Sequence, residues 1–345
     1  LNKGINLVLS PWNFPIAIPI GGVLASLAAG KRVILKPSQN AAATAFLISQ
    51  CLWDAGIPKD AFAFLPTLES ILDKYLSFGN IFDAVILTGG TDTAQFLLRR
   101  NPYLNLFAET GGKNATIITA LADREQAISN VVDSAFGNTG QKCSATSVLI
   151  LEKEVYENKE FRALLKDATQ SRFLGKPWDN KTKIGPMAVP INDKIKHVLK
   201  ITKDEEWLLK PVQTGDFILS PGIKWGITQN SYEYQNELFG PILSVMKFDK
   251  EDEVINKMND NKYGLSSGVY TSNFARGLRV SKAIRAGIVF INTYRLISPM
   301  APFGGIKDSG YGKEAGIESI KEYTRIKTTW YNSSDKPMTD PFTMG

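Results

Sequence analysis

Residues 5–35 read INLVLSPWNFPIAIPIGGVLASLAAGKRVIL, and this stretch decides the fold class. Its two ends, residues 5–9 and 32–35, are short and almost continuously apolar, whereas residues 21–29 between them suit a helix. Strands that are apolar throughout and separated by helices are typical of a parallel sheet covered on both faces. Residues 5–35 therefore predict a βαβ unit, the building block of a doubly wound α/β domain.

The same alternation continues along the chain. In the first part, strands are predicted at 62–65, 84–88 and 104–108, and helices at 42–55, 68–76 and 92–99. A second series predicts strands at 115–119, 147–151, 268–271 and 288–291, and helices at 124–136, 251–258 and 275–286. A polar, Lys-rich region at 178–222 has few strand signals. We expect two α/β domains with doubly wound parallel sheets.

The predicted domains cover residues 1–115 and 116–312, and a tail follows at 313–345. Within the tail, residues 322–331 alternate, with Ile326 and Trp330 on one face and charged or polar residues on the other. Such alternation predicts an exposed strand that pairs with a strand from elsewhere.

The composition excludes several classes of function. The 345 residues are 43% hydrophobic and 21% charged, as in ordinary globular proteins. The formal net charge is +6, but the Lys and Arg residues are scattered rather than clustered among aromatic residues, which argues against nucleic-acid binding. The longest apolar stretches, such as residues 16–29, are interrupted and fall short of the roughly 20 residues that a membrane span needs.

Two cysteines and one histidine limit the chemistry that is available. Cys51 and Cys143 cannot build a disulfide framework, which favours a reducing compartment, and we predict the cytoplasm. His197 lies in a Lys-rich amphipathic stretch and is assigned to the surface. No metal site is predicted. The chain begins without Met or a signal-peptide pattern, so we expect it to be truncated at the N-terminus.

Cys143 lies in GNTGQKCSA, residues 137–145, between a Gly-rich turn and an apolar strand. A reactive thiol needs such a position, although a free cysteine is more often a small buried hydrophobic residue. Earlier in the chain, Glu109 ends an apolar run and meets Gly111 and Gly112. This carboxylate is a candidate base for the same chemistry.

Three polar positions follow predicted strands of the first series. Asn13 could donate to an oxyanion or serve as a turn residue, and Lys36 could bind ribose hydroxyls or be a surface lysine. Residues 89–91, Gly-Gly-Thr, precede a helix whose N–H groups could bind a pyrophosphate. This last signal is weaker than a full dinucleotide fingerprint.

Seven motifs occur in a fixed order. They are PWNFP (11–15), KPS (36–38), TGGT (88–91), ETGGKN (109–114), GQKCSA (140–145), ELFGP (237–241) and PFGGIKDSG (302–310). Together they resemble the aldehyde dehydrogenase superfamily, from about residue 8 to residue 327. The resemblance implies a nicotinamide-cofactor domain, a catalytic domain, a C-terminal oligomerisation strand and a homo-oligomer. Relatives of this kind carry further residues before PWNFP.

The resemblance also implies roles for individual residues. Cys143 attacks an aldehyde, Asn13 and the Cys143 backbone N–H hold the oxyanion, and Glu109 activates the water that hydrolyses the acyl-enzyme. The implied cofactor-binding residues are Lys36, Ser38, Gln39, Gly89, Gly90, Thr91, Thr110, Glu237 and Phe239. The implied substrate-binding residues are Ser144, Arg295 and Phe303.

Within the superfamily, Thr110 and the Lys142-Cys143-Ser144 run resemble the branch that oxidises glutamate semialdehyde, the open form of pyrroline-5-carboxylate. In that branch the serine helps to anchor the substrate carboxylate. The branch also has a Gly-Ala pair before PFGG, which this chain lacks, although Arg295 could pair with a carboxylate there. This branch implies NAD as the first choice of cofactor. Gln39 replaces a common Glu and would repel a 2′-phosphate less than Glu does, so NADP is the alternative.

Three other functions stay open at this point. The chain could oxidise a different small-molecule aldehyde. It could be a non-catalytic remnant or binding domain that keeps the motifs. It could also be a thiol-dependent esterase that uses Cys143 and Glu109 without a cofactor.

Overall fold

The computed structural model describes residues 4–68, 70, 71, 74, 81–200, 206–294, 298–331 and 333. Within these residues the chain forms two large β-sheets with helices on both faces, and one small two-stranded sheet. The α/β class predicted from residues 5–35 is confirmed. No helix in this part of the chain is long and apolar enough to cross a membrane.

The first sheet has six strands. They are β1 (Ile5–Ser10), β2 (Arg32–Pro37), β3 (Phe62–Phe64), β4 (Ala84–Thr88), β5 (Leu106–Glu109) and β15 (Gly310–Tyr311). Their spatial order is β15-β5-β4-β1-β2-β3, and all pairs are parallel except β15 with β5. The helices of this part are α1 (Ala17–Ala28), α2 (Ala42–Asp54) and α3 (Thr91–Arg100).

Side chains of β1 fill a core on each face of this sheet. Leu7 and Leu9 pack with Leu97 of α3, whereas Val8 packs with Val23 of α1 on the opposite face. Because successive side chains of a strand point to opposite faces, a strand covered on both sides must be apolar throughout. The doubly wound arrangement is therefore confirmed.

The second sheet has seven strands. They are β6 (Asn114–Ile118), β7 (Thr146–Glu152), β8 (Glu206–Leu209), β11 (Gly222–Trp225), β12 (Ile242–Phe248), β13 (Ser266–Tyr270) and β14 (Ile288–Ile291). Their order is β14-β13-β6-β7-β12-β11-β8, and only β8 is antiparallel to its neighbour. The small sheet pairs β9 (Gln213–Thr214) with β10 (Ile218–Leu219).

Helices of the second part cover this sheet. They are α4 (Arg124–Phe136), α5 (Lys153–Tyr156), α6 (Lys159–Gln170), α7 (Asp193–Leu199), α8 (Tyr232–Gln235), α9 (Glu251–Asn259) and α10 (Phe274–Ala283). A last helix, α11 (Gly316–Glu322), follows β15. Four of these helices begin where an Asx side chain accepts a backbone N–H, at Asp123, Asn158, Asn192 and Asn273.

Several expectations differ from the structure. The region 178–222 contains helix α7 and strands β8, β9 and β10. These strands have only two to four residues each and are too short to give a clear apolar pattern. The strand predicted at 322–331 is wrong at its start, since Glu322 ends α11 and Tyr323 is buried. Residues 325–331 pair with no strand in the described part of the chain, and Ile326, Trp330 and Tyr331 are exposed. The helix predicted at 68–76 lies mostly outside the described residues.

Strand β15 returns the chain to the first sheet, with Gly310 opposite Glu109. Gly310 has a φ of +105°, and a Cβ at this position would lie 2.0 Å from the Ala108 carbonyl oxygen. Only glycine fits there. The domain boundaries at 115 and 312 stay predictions, but β15 comes from the second predicted segment and completes the first sheet.

We expect Gly310→Ala to lower the melting temperature more than Gly30→Ala. Gly30 also has a positive φ, of +75°, but nothing lies within 4 Å of its Cβ position. Its substitution therefore reports backbone strain alone, about 1–2 kcal/mol. Gly310→Ala adds a collision with the β5 backbone. Thermal unfolding followed by circular dichroism compares the two, and equal shifts would show that β15 moves aside at no cost.

Candidate active site

Two adjoining cavities lie where β1, β2, β4 and β5 reach their carboxyl ends. The first, of about 190 Å³, is lined by Pro11, Trp12, Asn13, Thr88, Gly89, Gly90, Glu109, Thr110, Gly111, Cys143, Glu237 and Phe239. The second, of about 250 Å³, shares Pro11, Trp12, Thr88, Gly89 and Gly90 and adds residues that include Lys36, Ser38, Thr93 and Phe96. Ligands of open α/β sheets bind at this edge, so the two cavities form one candidate cleft.

Most of the predicted site residues line this cleft. The first cavity includes Asn13, Gly89, Gly90, Glu109, Thr110, Cys143, Glu237 and Phe239, and the second includes Lys36 and Ser38. Gln39, Thr91, Ser144 and Phe303 line neither cavity. Arg295 lies outside the described residues.

The chain crosses from β5 to β6 in four residues, and this crossing joins the parts of the site. A Cβ at Gly111 would lie 2.2 Å from Glu237 Oε2, and one at Gly112 would lie 2.4 Å from the Cys143 carbonyl oxygen. Gly112 N–H donates to Glu237 Oε1 at 2.9 Å, and Asn114 Nδ2 donates to the Cys143 carbonyl at 2.6 Å. The two glycines therefore let three separate segments meet.

Cys143 precedes β7, and part of its side chain is accessible from the first cavity. Burial, followed by the negative charges of Glu109, Glu237 and Glu314, raises the pKa of the Cys143 thiol to about 12. The thiol is therefore protonated at neutral pH. Since a cysteine reacts as the thiolate, the site needs a base that removes this proton.

A second carboxyl group lies beside Glu109, and the sequence analysis missed it. Glu314 N–H donates to Glu109 Oε1 at 3.2 Å, and Thr88 Oγ1 donates to Glu314 Oε1 at 3.0 Å. Burial, and then the Glu314 charge, raise the pKa of Glu109 well above its usual range, while burial raises the pKa of Glu314 to about 7. Two neighbouring carboxyl groups of this kind can hold and pass a proton near neutral pH.

Glu237 and Phe239 close the first cavity from the side of the second sheet. Burial raises the pKa of Glu237 to about 7, and the hydrogen bond from Gly112 N–H opposes that rise. The Phe239 ring meets Trp12 edge to face, with 5.7 Å between ring centroids. Phe239 has a φ of +55°, which a bulky residue rarely adopts, so its neighbours must hold it in this conformation.

Helix α3 begins at the cleft. Gly90 immediately precedes the first residue of α3, and no side chain caps this end of the helix. A Cβ built on Gly90 would have Thr93 Oγ1 as its nearest neighbour, at 3.9 Å. The first backbone N–H groups of a helix attract anionic groups, and the missing Cβ leaves room for one. The hydroxyls of Thr91 and Thr110 both donate to the Asp308 carbonyl, at 2.9 and 2.6 Å. These two hydroxyls therefore make hydrogen bonds within the protein.

Ser144 and Phe303, which are predicted to bind substrate, make hydrogen bonds through their backbone atoms. The Ser144 carbonyl accepts hydrogen bonds from the Tyr294 hydroxyl and from Ser266 Oγ, the second at 3.4 Å. Phe303 exchanges two backbone hydrogen bonds of 2.7 Å with Glu314. Phe303 therefore holds Glu314 next to Glu109.

Comparison with known proteins identifies the family. Residues 2–329 match the model of the aldehyde dehydrogenase family. The chain belongs to the aldehyde dehydrogenase family. This result confirms the resemblance drawn from the seven motifs.

Members of the family share both sequence and fold with this chain. It is 36% identical to (Z)-2-((N-methylformamido)methylene)-5-hydroxybutyrolactone dehydrogenase of Acinetobacter baylyi, over 99% of this chain and 71% of that protein. Among solved structures, Proline Utilization A of Corynebacterium freiburgense has a TM-score of 0.90 at 33% identity, over 98% of this chain and 36% of that one. The indole-3-acetaldehyde dehydrogenase AldA of P. syringae, in complex with NAD+, has a TM-score of 0.87 at 30% identity, over 95% and 68%.

We expect Glu314→Gln to stabilise the protein more at about pH 8 than at about pH 5. Because folding raises the pKa of Glu314 from 4.5 to about 7, its contribution to stability is full below about pH 4.5 and is lost as the pH rises through 7. Glutamine keeps an acceptor for Thr88 and does not titrate. The melting temperature of the variant relative to wild type should therefore rise by roughly a few degrees between the two pH values. A constant difference would contradict the raised pKa.

We expect Glu109→Gln to speed the alkylation of Cys143 by iodoacetamide at about pH 9. Removing this negative charge lowers the pKa of the thiol, so more thiolate is present. Cys51 is exposed and also reacts, so both proteins carry Cys51→Ala. Slower alkylation of the variant would show instead that Glu109 removes the thiol proton before the reaction.

Proposed function

We propose that this chain oxidises an aldehyde to a carboxylic acid with a nicotinamide dinucleotide, through a covalent intermediate on Cys143. One observation carries the proposal: the thiol of Cys143, the carboxyl group of Glu109 and the amide of Asn13 line the same cavity. These groups are a nucleophile, a base and an oxyanion donor. The chain spans about two thirds of the length of several curated relatives, so activity, substrate and assembly are all part of the proposal.

The lining of the second cavity supports dinucleotide binding. Lys36 and Ser38 line it, and the uncapped start of α3 at Gly90 leaves space for an anionic group. In our proposal Lys36 and Glu237 bind the two ribose units, and Gly89 and Gly90 contact the pyrophosphate. The chemistry that a bound nicotinamide dinucleotide supplies is the acceptance of a hydride.

We propose NAD rather than NADP as this cofactor. AldA of P. syringae, a relative in both sequence and fold, was solved with NAD+. One residue favours the alternative, NADP. Gln39 is exposed beside Lys36 and Ser38 and carries no charge, so it would repel the 2′-phosphate of NADP less than a glutamate would. NADP is the alternative, and affinity for each nucleotide distinguishes them.

The residues of the first cavity account for the bond changes. The Cys143 thiol loses its proton to water in the cavity, its sulfur attacks the aldehyde carbon, and the C=O π electrons move to the oxygen, where Asn13 Nδ2 and the Cys143 backbone N–H stabilise the charge. After oxidation a thioester joins the substrate to Cys143. Glu109 takes a proton from water, the water oxygen attacks the thioester carbon, and the sulfur leaves as the acid forms. The Glu314 backbone N–H donates to Glu109 Oε1, and the Glu314 carboxyl group lies near enough to act on Glu109 through its charge, so this carboxyl group can receive that proton.

For the substrate we propose glutamate semialdehyde, as in the pyrroline-5-carboxylate dehydrogenase branch. Thr110 and the Lys142-Cys143-Ser144 run support it, as does the similarity to Proline Utilization A. Some other relatives are named for different aldehydes, including betaine aldehyde and aminoacetaldehyde. A different aldehyde is therefore the second candidate.

We propose that residues 325–331, with Ile326, Trp330 and Tyr331 exposed, pair with another copy of the chain in a homo-oligomer. We also propose a cytoplasmic location, since both cysteines are free thiols.

Glutamate semialdehyde and NAD, followed by NADH absorbance, test the proposal. We expect Cys143→Ala to lose turnover almost completely and Cys51→Ala to keep it. We expect Glu109→Gln to release about one NADH per chain and then stall, because the acyl-enzyme forms but is not hydrolysed. Full steady turnover of Cys143→Ala would refute the nucleophile.

Two other outcomes identify the rival functions. A folded sample that binds neither NAD nor NADP in calorimetry would indicate a non-catalytic remnant. Ester hydrolysis that persists without nucleotide, together with no NADH from any aldehyde, would indicate a thiol-dependent esterase.

A further inference from the structure

The loop before Cys143 has a strained backbone. Asn138, Thr139 and Gly140 have φ values of +53°, +55° and +69°. Such conformations cost about 1–2 kcal/mol for a residue with a side chain, so other contacts must hold this turn. Gly140 cannot be replaced, because a Cβ there would lie 2.3 Å from the Gly240 carbonyl oxygen.

The side chain of Gln141 supplies these contacts. It is buried, with 2% of the residue exposed. Its Nε2 donates to the Asn138 carbonyl at 3.1 Å, and its Oε1 accepts from Ala188 N–H at 2.9 Å. Both ends of the amide are thus bonded, as a buried amide requires. These two hydrogen bonds hold the left-handed turn against the segment around residue 188.

The backbone carbonyl of Gln141 points to Asn13, whose Nδ2 donates to it at 3.0 Å. Asn138 Nδ2 adds bonds to the Gln141 carbonyl at 3.3 Å and to the Asn13 carbonyl at 3.2 Å. An amide nitrogen carries two hydrogens, so one Nδ2 hydrogen of Asn13 remains for the cavity shared with Cys143. The reversed orientation of the Asn13 amide is disfavoured, because Oδ1 would then face another oxygen.

We propose that Gln141 is a positioning residue. Its side chain holds the left-handed turn in place, so that the Gln141 backbone carbonyl orients the Asn13 amide nitrogen toward an oxyanion. The proposal rests on the proposed function only in that a carbonyl compound adds to Cys143. In that addition a sulfur–carbon bond forms, the π pair moves to oxygen, and the thiol proton leaves to a base or to water.

A trifluoromethyl ketone tests the proposal without cofactor or turnover. Cys143 adds to 1,1,1-trifluoroacetone, and the resulting oxyanion occupies the position that Asn13 serves. Its affinity is measured as protection of Cys143 against iodoacetamide in Cys51→Ala protein. We expect Asn13→Ala and Gln141→Met each to weaken binding roughly 10- to 100-fold, comparable with or below the loss of one oxyanion donor. We expect the double variant to bind no more weakly than Asn13→Ala alone.

Two further variants separate positioning from general loosening of the loop. Thr139→Val removes the bond from Thr139 Oγ1 to the Gly185 carbonyl, 2.9 Å long, and leaves Gln141 and Asn13 bonded. Any weakening that it causes should multiply with that of Asn13→Ala. Gln141→Glu keeps the acceptor for Ala188 N–H but places a second carboxyl oxygen against the Asn138 carbonyl and adds a buried negative charge, so it should weaken binding at least as much as Gln141→Met, and it replaces that variant if its melting curve shows misfolding.

The outcomes are distinct. Losses that multiply between Gln141→Met and Asn13→Ala would overturn the proposal, and so would a wild-type protein that does not bind the ketone. Tight ketone binding without NADH formation from any aldehyde would refute the dehydrogenase function and leave the role of Gln141 intact.

Discussion

The site depends on one short piece of backbone, the four residues that cross from the first sheet to the second. Glu109 ends a strand of one sheet and Asn114 begins a strand of the other. Only glycine at 111 and 112 lets Glu237 and the Cys143 carbonyl approach this backbone. Cys143, Glu109 and Glu237 thus belong to three separate segments of the chain. These segments can meet only because Gly111 and Gly112 have no side chains.

This assembly works against stability. Glu109, Glu237 and Glu314 lie in a confined space around a thiol, and burial raises the pKa of each. Phe239 and the turn at Asn138 add residues in left-handed backbone conformations. Strain and desolvated charge of this kind concentrate at functional sites, where the surrounding fold must hold them in place. Here the apolar cores on both faces of each large sheet provide that support.

Local signals predicted much of the fold and part of the site. The strand Ala84–Thr88 and the helix Arg124–Phe136 were readable because apolar runs and helical periodicity act over a few residues. Cys143 and Glu109 were singled out because glycines lie near each of them, with Cys143 before an apolar strand and Glu109 at the end of one. Glu314 was missed because its contact with Glu109 spans 205 residues and depends on a two-residue strand, Gly310–Tyr311.

The two thiols differ in a way that matters for spectroscopy. Cys51 is exposed on the outer surface of α2, whereas the Cys143 thiol has a pKa of about 12. A maleimide dye at neutral pH will therefore attach to Cys51 faster than to Cys143. The sequence thus carries a preferred labelling position, Cys51, on the first sheet's side of the cleft. At short labelling times, single-molecule fluorescence can use this position without any substitution.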